Sequence, residues 1–256
     1  EARDAGATLH EDTPVVGVDE RDDGVTVRTD DGVTYDAKMV AGCDGPRSRV
    51  RDELSLPGPD ELLQGVLGFT DEGAANDDDL VDVYVDVPNF FGWRIPRGDS
   101  VEYGAASSGS PREELEEVAD IDVSSFDRVC AGQIPIGPPH RTTTDRGFLV
   151  GDAAAQTKPF TGGGIVYGMT AADVAARHVD PDSPGTVGIY ERAWRDELGR
   201  DIRLGKIIRK AYALPRPVQR AGMRAFQGEI NVHMDRPTTL LNSTTARRVL
   251  RNILGI

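Results

Sequence analysis

Gly151-Asp152-Ala153-Ala154-Ala155-Gln156-Thr157-Lys158-Pro159-Phe160-Thr161-Gly162-Gly163-Gly164-Ile165 is the stretch on which the reading of this sequence turns. A short apolar strand, Phe148–Val150, runs into Gly-Asp, a proline-containing loop crosses over, and three glycines open a long helical pattern. Asp152 at the strand end can accept hydrogen bonds from a polyol such as a ribityl chain. The glycines let backbone approach a flat ring closely. The helix N-terminus points partial positive charge at whatever lies before it. A reduced flavin, with negative charge near N1 and the C2 carbonyl, needs this combination. Cofactor contact is therefore expected from Gly151, Asp152, Ala153, Pro159, Gly162, Gly163, Gly164 and Ile165. A glycine-rich helix cap without a ligand is the competing interpretation.

A second stretch counts against that interpretation. Gly42-Cys43-Asp44-Gly45-Pro46-Arg47-Ser48-Arg49-Val50-Arg51 also follows a short apolar strand, Met39–Gly42. A strand-end Asp-Gly turns the chain sharply, and the helix start behind it offers free N–H groups to an anion. Ser48 and the arginines add donors suited to phosphate. Asp44, Gly45, Arg47 and Ser48 join the expected cofactor-binding set; alone, the stretch reads equally well as a capped acidic turn.

Outward from these motifs, Pro14–Val18, Gly24–Thr29 and Val33–Ala37 read as a three-stranded meander with Asp-Asp-Gly turns. Leu62–Thr70, Leu80–Val87, Phe90–Pro96 and Val101–Ser107 predict a second, antiparallel sheet, and Pro111–Ala119 a helix with proline and glutamates in its first turn. Helical patterns cover Gly164–His178, Thr186–Ala213, Val218–Gln227 and Thr245–Leu254; Asp71–Asp79 reads as an acidic, mobile loop. The expected class is α/β (α+β), a Rossmann-like dinucleotide-binding fold lacking its first βαβ unit. It divides into residues 1–56 (part of the cofactor domain), 57–138 (an antiparallel-sheet cavity domain), 139–180 (return to the cofactor domain) and 181–256 (a helical region). No Gly-x-Gly-x-x-Gly occurs, so the element that usually cradles a pyrophosphate is expected to precede this sequence.

The composition narrows the function classes. No apolar run approaches the ~20 residues needed to span a bilayer, and a cytoplasmic protein is expected. Its two cysteines, Cys43 and Cys130, read as reduced thiols. His10, His140, His178 and His233 show no metal-ligand spacing, and no metal is expected. Acidic residues number 43 against 29 basic ones, and only Lys38, Lys158, Lys206 and Lys210 are lysines. Such a surface resembles that of a halophilic protein, in which carboxylates hold hydration. From Arg200 onward the balance reverses to 12 basic and 3 acidic residues, suggesting an anionic partner. No nucleic-acid contact is expected.

The two motifs resemble the second and third FAD motifs of the fold shared with hydroxybenzoate hydroxylase, and within it the sequence is similar to the geranylgeranyl reductase family. Gly151–Ile165 resembles that family's Gly-Asp-Ala-Ala loop, with Ala155 and Phe160 as departures. Phe91-Gly92-Trp93-Arg94-Ile95-Pro96 resembles its Tyr-x-Trp-x-Phe-Pro strand, departing at Phe91 and Ile95. Gly132–Pro138, Tyr190–Leu204 and Asp235–Leu241 extend the similarity over nearly the whole chain. The resemblance implies an FAD-dependent oxidoreductase that reduces C=C bonds of geranylgeranyl chains in archaeal membrane lipids. It implies an isoprenoid lipid substrate met by Phe91, Trp93 and Pro96, and an electron donor of ferredoxin or nicotinamide type. These aromatic side chains suit simple core packing equally well. No catalytic proton donor is identified. An FAD monooxygenase or halogenase of the same fold, or a non-catalytic lipid- or partner-binding module, are the alternatives. The basic C-terminal region adds an expected peripheral contact with a membrane.

Overall fold

Asp-Asp-Gly marks both turns of the N-terminal meander. In the computed structural model, which describes residues 1–71, 80–85, 87–225 and 236–238, β1 (Val15–Arg21), β2 (Gly24–Thr29) and β3 (Thr34–Ala37) pair antiparallel in sequence order. Arg21 faces Gly24 across the two-residue Asp22-Asp23 turn, and Gly32 takes φ +83° in the second. β4 (Val40–Gly42) follows, then α1 (Arg49–Glu53), which packs Val50 and Leu54 against Val18 and Val25.

The larger sheet comprises β5 (Glu61–Thr70), β6 (Asp82–Tyr84), β7 (Phe91–Pro96), β8 (Val101–Ser107) and β9 (Arg128–Ile136), in the order β6-β7-β8-β5-β9, antiparallel throughout. α2 (Pro111–Ala119) covers one face, where Leu115, Val123 and Phe126 pack on Val101, Tyr103 and Ala105. On the opposite face Leu63, Phe90, Ala106 and Ile136 form a separate core with Phe91, Trp93 and Ile134 against it. β9 was not foreseen. Gly132 and Pro135 erase its strand signal, and the proline is tolerated because β9 lies at the sheet edge. The expected strand Leu80–Val87 shortens to β6.

The chain then returns. β10 (Gly147–Leu149) pairs parallel with β4, and α3 (Ile165–His178) and α4 (Thr186–Arg209) form a helical hairpin. Val187, Tyr190, Trp194, Leu198 and Ile202 recur at three- and four-residue intervals on α4 and pack on Tyr167, Ala171, Val174 and Ala175 of α3. A 3-10 turn (Lys210–Ala213) and α5 (Arg216–Ala225) follow. The expected helix Thr245–Leu254, and all but Asp71 of the acidic loop, lie outside the described residues. Among the described residues no helix is long and apolar enough to cross a membrane, and no cluster suited to a metal occurs. Cys43 and Cys130 are free and exposed.

Candidate functional site

Parallel pairing of β4 and β10 brings the two motifs together. Gly42 lies opposite Leu149, and the Val150 N–H donates to the Gly42 carbonyl at 2.9 Å. Asp44–Ser48 and Gly151–Asp152 therefore leave the carboxyl ends of neighbouring strands, the edge at which open parallel sheets bind ligands.

The two motifs behave differently there. Asp44 accepts from the Ser48 hydroxyl (2.6 Å) and from the Arg49 and Val50 N–H groups (2.7 and 3.1 Å), while the Ser48 Oγ accepts from the Arg51 N–H at 2.9 Å. The helix N-terminus expected to offer free donors to a phosphate has thus spent them on Asp44 and Ser48, and both residues serve as caps. Arg47 reaches Gln133 of β9, with Nε donating to Oε1 at 2.9 Å, and both line one cavity with Asp44. Gly45, at φ +81°, sets the turn.

The Gly-Asp loop keeps its chemistry open. A Cβ placed on Gly164 would sit 2.5 Å from Asp152 Oδ1, so the carboxylate rests on the start of α3. Half-buried, the Asp152 carboxylate makes no hydrogen bond or ion pair among the described residues, and burial pushes its pKa up. Thr161 Oγ1 is buried without a partner among the described residues. Gly163 lies under the Lys158 side chain, and Gly162, at φ +72°, lets the loop close against Ile134 and Phe90. Ile165 is 81 % exposed and Met169 68 %, leaving apolar surface beside the unpaired carboxylate. An acceptor next to open apolar surface fits a ligand with a hydroxylated arm and a flat ring. Ala153 and Pro159 do not reach this surface. Ala153 is buried with Val50 and Leu149, and Pro159 packs under Gly205 of α4.

Residues that the motif reading passed over hold the loop. Gln156, fully buried, accepts from the Gly151 N–H at 2.7 Å and donates to the Tyr190 hydroxyl at 3.2 Å, which itself donates to the Leu149 carbonyl at 2.8 Å. Thr157 donates to the Pro135 carbonyl, tying loop to β9. The Tyr212 hydroxyl donates to the Phe160 carbonyl at 2.7 Å, and burial pushes its pKa up to about 12. Partners 22, 34 and 52 residues away in sequence leave no local signal.

The aromatic strand lines the neighbouring face. Phe90 stacks on Phe91 (centroids 4.6 Å), Phe91 meets Trp93 at 5.8 Å, and Tyr212 approaches Phe90 and Phe91 at 6.0 and 5.9 Å. Trp93 pairs with Gly104 across the strands, and a Cβ on Gly104 would lie 2.1 Å from Trp93 Cε2, so the indole lies flat over the glycine. Its Nε1 donates to Glu102 at 2.8 Å, and Glu102, 8 % exposed, also accepts from Arg97 at 2.8 and 3.0 Å. Pro96 departs from expectation: strand alternation puts it on the face opposite Phe91 and Trp93.

Known proteins resemble this chain in sequence and in fold. An FAD binding domain family matches residues 1–102. A digeranylgeranylglycerophospholipid reductase of Methanothrix thermoacetophila is 31% identical over 194 residues, 66% of this chain and 49% of that protein. Overall the chain spans about half to two thirds of the length of the curated relatives it matches. In fold it is similar to a geranylgeranyl bacteriochlorophyll reductase-like protein from Thermoplasma acidophilum (TM-score 0.78, 20% identity, 98% of this chain and 71% of that one). It is also similar to a flavin-dependent halogenase from Brevundimonas (TM-score 0.67, 12% identity, 99% of this chain and 57% of that one). FAD is the cofactor of the matched domain, in keeping with the loop's own chemistry.

Proposed function

We propose, for a chain that belongs to the geranylgeranyl reductase family of FAD-binding flavoproteins, that it takes part in reducing carbon–carbon double bonds of isoprenoid chains in membrane-lipid biosynthesis. The observation that carries this reading is the contact of the Gly162 turn with Ile134 and Phe90, which sets the cofactor loop directly on the aromatic face. FAD, when held there and reduced by a donor of ferredoxin or nicotinamide type, would supply the hydride chemistry for one alkene carbon, with a proton required at the other.

The chain's own residues hold and align. Asp152 would accept from the ribityl hydroxyls of a bound flavin, and the start of α3 would turn its positive end toward the ring. Phe91 and Trp93 offer an apolar wall to an isoprenoid chain, with Tyr212 closing its edge. An isolated alkene is a poor electrophile, so alignment in a dry channel must supply much of the rate. Tyr212, with its hydroxyl donated to Phe160 and its pKa raised, positions the loop and does not release the proton.

The test is anaerobic turnover of a geranylgeranyl glycerophospholipid in detergent by the FAD-loaded protein with dithionite as reductant. Mass spectrometry should show products gaining pairs of hydrogens. Product that gains oxygen or halogen in air would favour monooxygenase or halogenase chemistry, and a flavin-free protein the binding-module alternative.

A further inference from the structure

The charge of this chain is divided by position. Between Arg200 and Ala225 eight basic residues stand against Asp201, a net of +7, which leaves the rest of the chain at −21 of the total −14. Part of that positive charge is used internally. Lys206 pairs with Asp60 at 2.6 Å, and Arg209 holds Glu61 through two bonds of 2.7 and 2.9 Å. Arg200, Arg203, Lys210, Arg220 and Arg224 are exposed and make no ion pair among the described residues.

Apolar side chains stand among these cations. Ile207 is 63 % exposed, Val218 50 % and Leu214 45 %. Ile202, Leu204, Ile207, Ile208, Ala211 and Leu214 recur at helical spacing in the sequence, the pattern of one apolar stripe, but the structure divides it. Ile202 is in the core, Ile208 is half-buried, and Ile207 lies on the outer side of α4 with Arg200 and Arg203. The helical step of about 100° per residue explains this, since Ile207 is ~200° around from buried Gly205. α5 touches the body lightly. Its described side chains are exposed apart from Gln219, whose Nε2 donates to the Tyr212 carbonyl at 3.0 Å.

The location of this surface matters as much as its chemistry. Lys206, Arg209, Lys210, Tyr212 and Ala213 line a cavity of about 470 Å³, and Tyr212 is also the edge of the aromatic face. Lys210 carries the basic surface to this cavity, which Asp60 and Glu61 also line, so the surface meets an opening beside the Phe90–Phe91 cluster. Resting on the lipid-reductase reading for its purpose, we infer that the last turn of α4, the 3-10 turn and α5 form a docking surface for an anionic lipid bilayer. The cations attract the headgroups and Ile207, Leu214 and Val218 insert among them. A negative body repels the same bilayer, which orients the protein with this end down.

Sedimentation of the FAD-loaded protein with phosphatidylglycerol-containing vesicles, against neutral phosphatidylcholine vesicles, tests the inference. Binding is expected to the anionic vesicles in preference to the neutral ones. Arg220→Gln with Arg224→Gln should lower partitioning by about 25-fold at ~0.1 M salt, at roughly fivefold per cation, and by far less at ~1 M, where the Debye length falls to ~3 Å. Ile207→Ser with Leu214→Ser and Val218→Ser should lower it at both salt concentrations, by at least about tenfold. Equal binding to neutral vesicles, or indifference to either set, overturns the inference. So does a serine variant that changes oligomeric state while the parent protein binds no vesicles, because the face would then be a contact between copies. Turnover of detergent-dispersed lipid separates the two ideas. Vesicle binding without turnover by the parent protein would remove the reductase reading and leave the docking surface; turnover without vesicle binding would do the reverse.

Discussion

Asp152 is a half-buried carboxylate without a hydrogen-bond donor among the described residues, and its titration follows from that. Burial raises its pKa above 3.8, so its contribution to the stability of the flavin-free protein is full when protonated and is lost as pH rises through the raised value. Ribityl hydroxyls would reverse the preference by donating to the charged form. FAD affinity should therefore fall as pH drops below the raised pKa, and Asp152→Asn should flatten that dependence. Asp152→Ala should weaken binding by roughly 1.5–3 kcal/mol, about ten- to a hundredfold. Flavin fluorescence titration across pH reads both; unchanged affinity in the variants would remove Asp152 from the site. Glu102 is the other decisive single residue. Glu102→Ala leaves the Trp93 N–H and the Arg97 guanidinium without their shared acceptor, and should cost about 1–3 kcal/mol in urea unfolding while shifting the Trp93 emission. Glu102→Gln, which keeps an acceptor for the indole, should restore the emission.

Between elements, two joints tie neighbouring segments together. The first is the pairing of β7 with β8, where Trp93 fills the space above Gly104. Gly104→Ala should displace the indole and destabilise the sheet by ~1–3 kcal/mol through overpacking; a loss of a few tenths would show that the indole is loosely seated. The second joins α4 to the connection between β9 and β10. Glu191 accepts from the Thr142 N–H at 3.0 Å, from the Thr143 hydroxyl at 2.8 Å and from Arg195 at 2.6 Å. Burial alone would raise this carboxyl, but the bonds from Arg195, Thr143 and Thr142 outweigh it and hold the pKa below 4.5. A depressed carboxylate contributes stability that is present above its unfolded pKa and is lost as pH falls through the folded one. Glu191→Gln should unfold more easily at neutral pH and show a shallower loss on acidification between about pH 5 and pH 3. Parallel acid profiles for the two proteins would contradict the assignment.

Across the whole molecule, charge dominates. A net charge of −14 with 43 acidic residues repels itself, while exposed pairs such as Arg28–Asp19 and Arg177–Asp173 contribute little. Salt screens that repulsion, so the urea midpoint should rise from ~0.1 M to ~1 M KCl. A flat or falling midpoint would show that the acidic surface carries no such penalty. The same division of charge underlies the docking surface, which presents its cations at one end of an otherwise anionic chain.

Local chemistry was enough to make much of this protein legible. Asp-Gly signals marked the meander, proline and glutamates set α2, and the strand-to-glycine grammar of Gly151–Ile165 located the strand end, the turn and the start of α3, because each depends on residues close in sequence. The strand β9 was hidden, since Gly132 and Pro135 weaken a strand unless an edge position tolerates them. The parallel pairing of β4 with β10, which makes one site of two motifs, joins residues more than a hundred positions apart. Only the fold could show that Asp44 and Ser48 spend their hydrogen bonds on α1 while Asp152 keeps its own unspent. Sequence supplies donors and acceptors; which of them remain unsatisfied depends on what the folded chain brings within reach.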